Sequence, residues 1–186
     1  MDQVAFGSRD YMVFLLLLMF SRGMDFLSTW IATPNLILEA NPIARSLRWR
    51  WGIAVNLAMC FLFALWPLTA IIICTTSVLV AARNFQLAWL MRTHGEDNYR
   101  TWFVERMEET PPGLFLFCLL AQTILVAAVG GVLMYFSLQQ SMVPYLGKFE
   151  HLVPLGIGMG IVGYAVAVTI YTLIGLWRRR RYSRFR

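Results

Sequence analysis

The sequence predicts an all-α fold, a polytopic bundle of transmembrane helices that forms one membrane domain over residues 1–186. Apolar residues make up 59% of the chain and charged residues only 14%, whereas soluble domains contain about 25% charged residues. The apolar residues are grouped into runs of about 20, the length of a helix that crosses the hydrocarbon core. The clearest runs cover residues 11–33, 113–137 and 152–177, and a longer run covers 52–82.

The run at 52–82 has two interpretations. Its 31 residues would form a helix of about 46 Å, against a hydrocarbon core of about 30 Å. One tilted, kinked helix gives four spans, and two helices with a turn at Trp66–Pro67 give five. Asn41 and Pro42 form a good helix start, since Asn caps and Pro suits the first helical position. This favours five spans, at about 11–33, 44–66, 68–86, 113–137 and 152–177.

The distribution of arginine also favours five spans. Cytoplasmic loops are enriched in Lys and Arg. Apart from Arg22 inside the first span, five spans divide these residues thirteen to two, whereas four spans divide them eleven to four. The sequence therefore predicts an outer N-terminus and a cytoplasmic C-terminus, and a prokaryotic inner membrane is the favoured location. The net charge of +6 is interpreted as topology and contact with anionic lipid, and nucleic acid is not an expected partner.

Two polar segments lie outside the predicted spans. Within the cytoplasmic segment 87–112, Tyr99, Trp102, Phe103 and Met107 have a one-sided helical spacing, which predicts a short amphipathic helix at the membrane interface. A solvated loop is the alternative. The basic tail 178–186 is predicted to bind anionic lipid headgroups and to fix topology, through Arg178, Arg179, Arg180 and Arg181.

Arg22 and Asp25 lie near the middle of the first predicted span. Charged side chains at that depth are costly unless they are paired or hydrated. Because the two are three residues apart, they share one face of a helix. One interpretation is an ion pair that faces the bundle interior. The other is a polar pathway or binding site.

Further polar residues are predicted to join this pair in the inner half of the membrane. Glu39 and Asn41 also have simpler interpretations, because Glu39 can pair with Arg45 and Asn41 can cap the second helix. The full predicted cluster comprises Arg22, Asp25, Ser28, Thr29, Glu39, Asn41, Asn56, Arg83 and Asn84.

Part of this cluster follows a pattern. It runs from Asp25 to Ser28 and Thr29, then through Glu39-Ala-Asn41-Pro42, and ends with Asn84 late in the third span. This resembles a family of small prokaryotic multispanning membrane proteins of unknown function, over residues 15–90 only. The resemblance implies three helices in that region and supports a turn at Trp66–Pro67. The second and third apolar runs are shorter here than in the family, and residues 113–186 have no counterpart.

Small residues repeat at helical spacing in the last predicted span. Gly156, Gly160, Gly163 and Ala167 form one stripe, and such stripes let helix backbones approach closely in lipid. The stripe predicts helix packing, with a partner in this chain or in another. Gly130 and Gly131 give the fourth span a similar point of close approach.

The sequence predicts no cofactor, no metal and no catalytic residues. His94 and His151 lie outside the apolar runs, and the three cysteines lack metal-site spacing. No phosphate-binding loop or nucleophile motif is present. Asp25 and Glu39 would be about 21 Å apart on one continuous helix, so only a break near Pro34 could bring the two carboxylates together.

The functional expectation is a non-catalytic membrane subunit or scaffold that packs with other membrane protein subunits in a larger complex. The alternative is a small transporter or channel with a polar path through the first three helices. A third hypothesis is an intramembrane enzyme that uses Asp25 and Glu39.

Overall fold

The computed structural model describes residues 3–39, 42–140 and 150–183. Within these ranges the chain forms helices and no strands. The elements are α1 (Arg9–Ala32), α2 (Pro42–Phe63), α3 (Pro67–His94), α4 (Glu96–Glu109), α5 (Pro112–Gln140) and α6 (Leu152–Ser183). Four of them, α1, α3, α5 and α6, are long and apolar enough to cross a membrane. The chain is therefore an all-helical, multi-pass membrane protein.

Local sequence signals explain several helix ends. The Ser8 hydroxyl caps α1 by accepting a hydrogen bond from the Tyr11 amide at 3.2 Å. Pro67 occupies the first turn of α3, where a missing amide hydrogen costs nothing. Gly95 separates α3 from α4 with a φ of 77°, a conformation that glycine adopts without strain.

The helix α2 differs from the other long helices. Three arginines near its start and Asn56 dilute its apolar residues, so it is not among the four helices that meet the length and composition of a span. Its backbone bends at Arg48, where φ is 54°. The chain then turns between Phe63 and Pro67, at the position where the sequence predicts a turn between two helices.

Helices α1 and α3 run in the same direction. Where both begin, the Val4 amide donates to the Leu65 carbonyl at 2.9 Å. Where both end, the Thr33 hydroxyl donates to the carboxylate of Glu96, just after α3, at 2.6 Å. The chain must therefore return along the bundle between residues 33 and 66.

The returning segment is α2, which lies antiparallel to α1. Near its start, the Trp49 indole donates to the Pro34 carbonyl at 2.9 Å. Near its end, the Phe61 carbonyl accepts a hydrogen bond from the Tyr11 hydroxyl at 3.2 Å. A buried apolar cluster closes this end of the bundle, and it comprises Tyr11, Leu15, Leu18, Cys60, Ala64 and Ala70.

The last two helices extend the bundle on the other side of α3. Helix α6 packs against α3, and α5 packs against α6. Gly156 faces Ile71 on α3. Gly130 on α5 meets Gly158 on α6, and a Cβ atom added to Gly130 would lie 2.6 Å from the Gly158 carbonyl oxygen.

The predicted small-residue stripe on α6 divides in the structure. Gly156 and Gly160 both face α3, so the partner of this pair lies in the same chain. Gly163 was expected on the same packing stripe, but a Cβ atom added there would have no neighbour within 4 Å. Gly158, outside the predicted stripe, makes the contact with α5. The reason is that α6 lies between two helices and presents small residues to each.

Two helices continue beyond the predicted spans. Helix α3 continues to His94, so residues 87–94 are helical and extend the third predicted span. Helix α6 continues to Ser183, so the backbone of Arg178–Arg181 belongs to the helix and not to a separate tail. Arginine has a high helix propensity, and nothing in this run stops a helix.

Candidate functional site

The ion pair expected in the first span is formed within α1. An Arg22 guanidinium nitrogen, Nη1, lies 2.7 Å from Asp25 Oδ2. Both side chains are largely enclosed, with exposed fractions of 28% for Arg22 and 17% for Asp25. Pairing at this depth removes most of the cost of two isolated charges in an apolar medium.

Arg22 also connects α1 to two other helices. Its Nε donates to Asn56 Oδ1 on α2 at 2.8 Å, and its Nη2 contacts the same oxygen. Its Nη1 also donates to the Ser77 hydroxyl on α3 at 3.2 Å. Asn56 is oriented for this contact because its amide nitrogen donates to the Gly52 carbonyl at 2.8 Å. The guanidinium carbon lies 5.8 Å from the centre of the Phe26 ring, within cation–π range.

A second set of hydrogen bonds lies about two turns further along α1. The Asn84 amide nitrogen on α3 donates to the Ser28 hydroxyl at 3.3 Å and to the Thr29 hydroxyl at 3.2 Å. The Ser28 hydroxyl in turn donates to the Asp25 carbonyl at 2.8 Å. Asn84 therefore joins α3 to the same face of α1 that carries the ion pair.

A third set lies at the end of α1, where the Glu96 carboxylate holds the loop that leads to α2. Glu96 accepts hydrogen bonds from the Thr33 hydroxyl at 2.6 Å, the Asn35 amide and side chain at 3.0 Å each, and the Ile37 amide at 3.2 Å. Burial alone would raise the pKa of Glu96, but these four hydrogen bonds outweigh it and hold the pKa below its usual range.

This loop reverses the chain direction just after Pro34. Leu36 has a φ of 57°, and its amide donates to the Thr33 carbonyl at 3.0 Å. A break near Pro34, without which Asp25 and Glu39 could not approach each other, is therefore present. Beside the loop lies a cavity of about 240 Å³, lined in part by Asn35, Arg92, Glu96 and Asp97.

The structure divides the predicted polar cluster. Arg22, Asp25 and Asn56 lie together, and Ser28, Thr29 and Asn84 form the neighbouring set. Arg83 lies instead where its charge acts on Tyr99 of α4. Burial raises the pKa of Tyr99, and the charge of Arg83 offsets only part of that rise. Among the described residues, no hydrogen bond links Arg83 to the cluster. Asn41 and the side chains of Arg178, Arg179, Arg180 and Arg181 lie outside the described part of the chain.

Sequence analysis missed Ser77, Thr33 and Glu96. Ser77 is fully enclosed between helices, but a serine in an apolar run carries no signal of its own. Glu96 is 63 residues from Thr33 in sequence, and it looks like an ordinary acidic residue in the first turn of a helix. Only the turn after Pro34 brings the two together.

The arrangement connects helices to one another. Within the described ranges, every buried side-chain nitrogen or oxygen has a hydrogen-bond partner. In the same ranges, no three His, Cys, Asp or Glu side chains are grouped in a way that could hold a metal ion. The chemistry that these side chains perform is charge neutralisation and hydrogen bonding between α1, α2 and α3.

Comparisons with protein families, with curated proteins and with solved structures find no match to this chain. The resemblance based on Asp25 and the Glu39-to-Pro42 pattern therefore remains an expectation. Function has to be argued from the geometry of the side chains, because a fold alone does not define an activity.

Proposed function

We propose that this protein is a non-catalytic integral membrane subunit or scaffold that packs with other subunits in a larger membrane protein complex. The proposal rests on the observation that the intramembrane polar groups form hydrogen bonds with other helices of the same chain. Arg22 bonds to Asp25, Asn56 and Ser77, so this polar cluster joins helices of the chain to one another. Such bonds hold a bundle together in lipid.

The open surface of α5 provides room for a partner. Only 6% of the most apolar stretch of α5 is buried, compared with 28% for α6. Gly131 is exposed on this helix, and a Cβ atom added to it would have no neighbour within 4 Å. A small residue at an open helix surface allows the backbone of another helix to approach closely.

The directions of the helices support five crossings. Because α1 and α3 are parallel and both are long enough to span, the chain between them has to cross back, and α2 is the segment that does so. With the arginine distribution, this gives an outer N-terminus, a cytoplasmic C-terminus and an inner-membrane location. Helix α4 then lies at the cytoplasmic interface, and Arg178–Arg181 meet anionic lipid headgroups.

The test is purification in mild detergent through an affinity tag, followed by mass spectrometry of the proteins that remain bound. We expect a stoichiometric membrane protein partner. The variant G131L adds bulk to the open face of α5, where an added Cβ atom would have no neighbour within 4 Å, and we expect it to lose that partner while keeping the wild-type melting temperature. A wild-type chain that elutes as a monomer with no bound protein would contradict the proposal.

Transport is a second candidate, and one observation favours it. Polar side chains follow one face of α1 from Arg22 and Asp25 through Thr29 to Thr33, which meets Glu96 at the end of the helix. A conduction path would use such a series. Reconstituted vesicles should then pass protons or small cations, and D25N should reduce the flux. A flux that D25N leaves unchanged would remove this candidate.

A further inference from the structure

The bend in α2 separates an arginine-rich start from the part of the helix that lies along α1. Arg48 has a φ of 54° and a ψ of −174°, a conformation that residues other than glycine seldom adopt. Beyond the bend, Trp49 is fixed by its hydrogen bond to the Pro34 carbonyl. Residues before the bend therefore do not continue the direction of the helix axis.

Three arginine side chains at this bend point away from the protein. Arg45, Arg48 and Arg50 are all exposed. Within the described ranges, no ion pair or side-chain hydrogen bond holds any of the three. The other charged groups at this end do not neutralise them as a set. Glu96 is occupied by the loop that it holds, and among the described residues no ion pair joins Glu39 to any of the three arginines.

Exposed tryptophans mark the depth of the membrane interface at the same end. Trp30 on α1, Trp51 on α2 and Trp89 on α3 are 55%, 67% and 68% exposed. The contacts between these helices place Trp30 and Trp51 at similar levels and Trp89 about one turn further towards the end of α3. Tryptophan is enriched at the level of lipid headgroups, so the three residues define a belt.

We infer that Arg45, Arg48 and Arg50 bind the headgroups of anionic phospholipids, with Trp51 as the neighbouring interfacial anchor. Arg48 and Arg50 flank Trp49 and lie within three residues of Trp51, so their guanidinium groups can reach headgroups at the level of the tryptophan belt. The guanidinium group suits phosphate because it donates paired hydrogen bonds. The inference rests on the proposed crossing of α2, and it adds a lipid site that is separate from Arg178–Arg181.

The test uses the purified full-length chain in nanodiscs with brominated lipids, which quench tryptophan on contact. The quenching of Trp51 is isolated by comparison with W51F. Brominated phosphatidylglycerol is compared with brominated phosphatidylcholine at equal mole fraction. Each basic residue near an anionic surface favours binding by a factor of roughly five, so we expect several-fold preference for phosphatidylglycerol in the wild type.

The variant R45Q/R48Q/R50Q should abolish this preference, whereas the matched control R178Q/R179Q/R180Q should retain it. Should the triple variant fail to fold, the wild-type preference must still weaken as salt rises, because salt screens the attraction. Equal quenching by the two lipids in the wild type would overturn the inference. So would a preference that survives in R45Q/R48Q/R50Q. Because no partner protein is present, failure here is distinct from failure of the subunit proposal.

Discussion

Arg22 joins three helices through one guanidinium group, and this makes it the residue whose loss should matter most. In R22Q, Asp25 keeps a charge in an apolar medium and Asn56 loses its donor. Breaking a buried pair costs about 3–5 kcal/mol, and the partial exposure of both side chains reduces this to about 2 kcal/mol. We expect the melting temperature in mild detergent to fall by about 5 °C.

The double variant R22Q/D25N provides the control for this prediction. It removes both charges, so no uncompensated carboxylate remains, and we expect it to recover at least half of the lost stability. If R22Q has the same melting temperature as the wild type, the ion pair does not contribute to the stability of the bundle.

Glu96 makes the stability of the loop depend on pH. Its pKa is lower in the folded chain than in the unfolded one. Its contribution is therefore complete above the unfolded pKa and is lost as the pH falls through the folded pKa. At pH 7 the wild type should be more stable than E96Q by about 1 kcal/mol. In thermal melts this difference should shrink towards zero below the usual titration range of glutamate.

A matched control is available on the same helix. Glu105 is exposed, so E105Q should melt like the wild type at every pH. If E96Q and E105Q behave alike at pH 7, the four hydrogen bonds to Glu96 do not stabilise the loop.

The sequence predicts the ion pair but not its surroundings, and the reason is physical. Arg22 and Asp25 are recognisable because charge is rare in an apolar run and because their spacing fixes a shared helix face. Their partner Ser77 is recognisable only when α1 and α3 are known to be parallel neighbours. The same limit applies to Glu96, which is identified by a backbone reversal and not by any local pattern.

At the scale of elements, the approach of α5 to α6 depends on two glycines. A Cβ atom in G130A would lie 2.6 Å from the Gly158 carbonyl oxygen and 2.9 Å from a Val162 methyl carbon. Since the first of these is backbone, the helices have to separate, at a cost of about 1–3 kcal/mol. We expect G130A to melt several degrees below the wild type.

The adjacent residue is the control for that prediction. A Cβ atom in G131A would have no neighbour within 4 Å, and alanine favours a helix over glycine. G131A should therefore melt at or slightly above the wild-type temperature in the same assay. Equal destabilisation by the two variants would mean that loss of backbone flexibility, and not close approach, explains the effect.

Helix α2 is the element that composition describes least well. Its arginines and Asn56 lower its apolar content, yet its contacts run from Pro34 to Tyr11 along the length of α1. A judgement from composition counts every polar residue as unfavourable in lipid. It takes no account of the hydrogen bond that Asn56 accepts from Arg22, which offsets the free-energy cost of placing Asn56 there. A helix stabilised by its neighbours can therefore cross lipid with a composition that an isolated helix could not tolerate.

For the whole molecule, the direction of α3 relative to α1 distinguishes a chain that crosses the membrane five times from one that crosses it four times. In a five-crossing chain, Gln3 and Asn98 lie on opposite sides of the membrane, because three crossings separate them. In the four-span alternative only two crossings separate them, and both residues lie on the same side. Both side chains are exposed, so each can be replaced by cysteine without disturbing a contact.

The measurement is labelling of Q3C and N98C by a membrane-impermeant maleimide in intact cells, after Cys60, Cys74 and Cys118 have been replaced by alanine. We expect Q3C to react at once and N98C to react only after the membrane is permeabilised, since arginines concentrate on the cytoplasmic side. The reverse pattern would keep five crossings and invert the orientation. Reaction of both residues, or of neither, before permeabilisation would contradict five crossings. It would also require α1 and α3 to run antiparallel, against the contacts of Val4 with Leu65 and of Thr33 with Glu96.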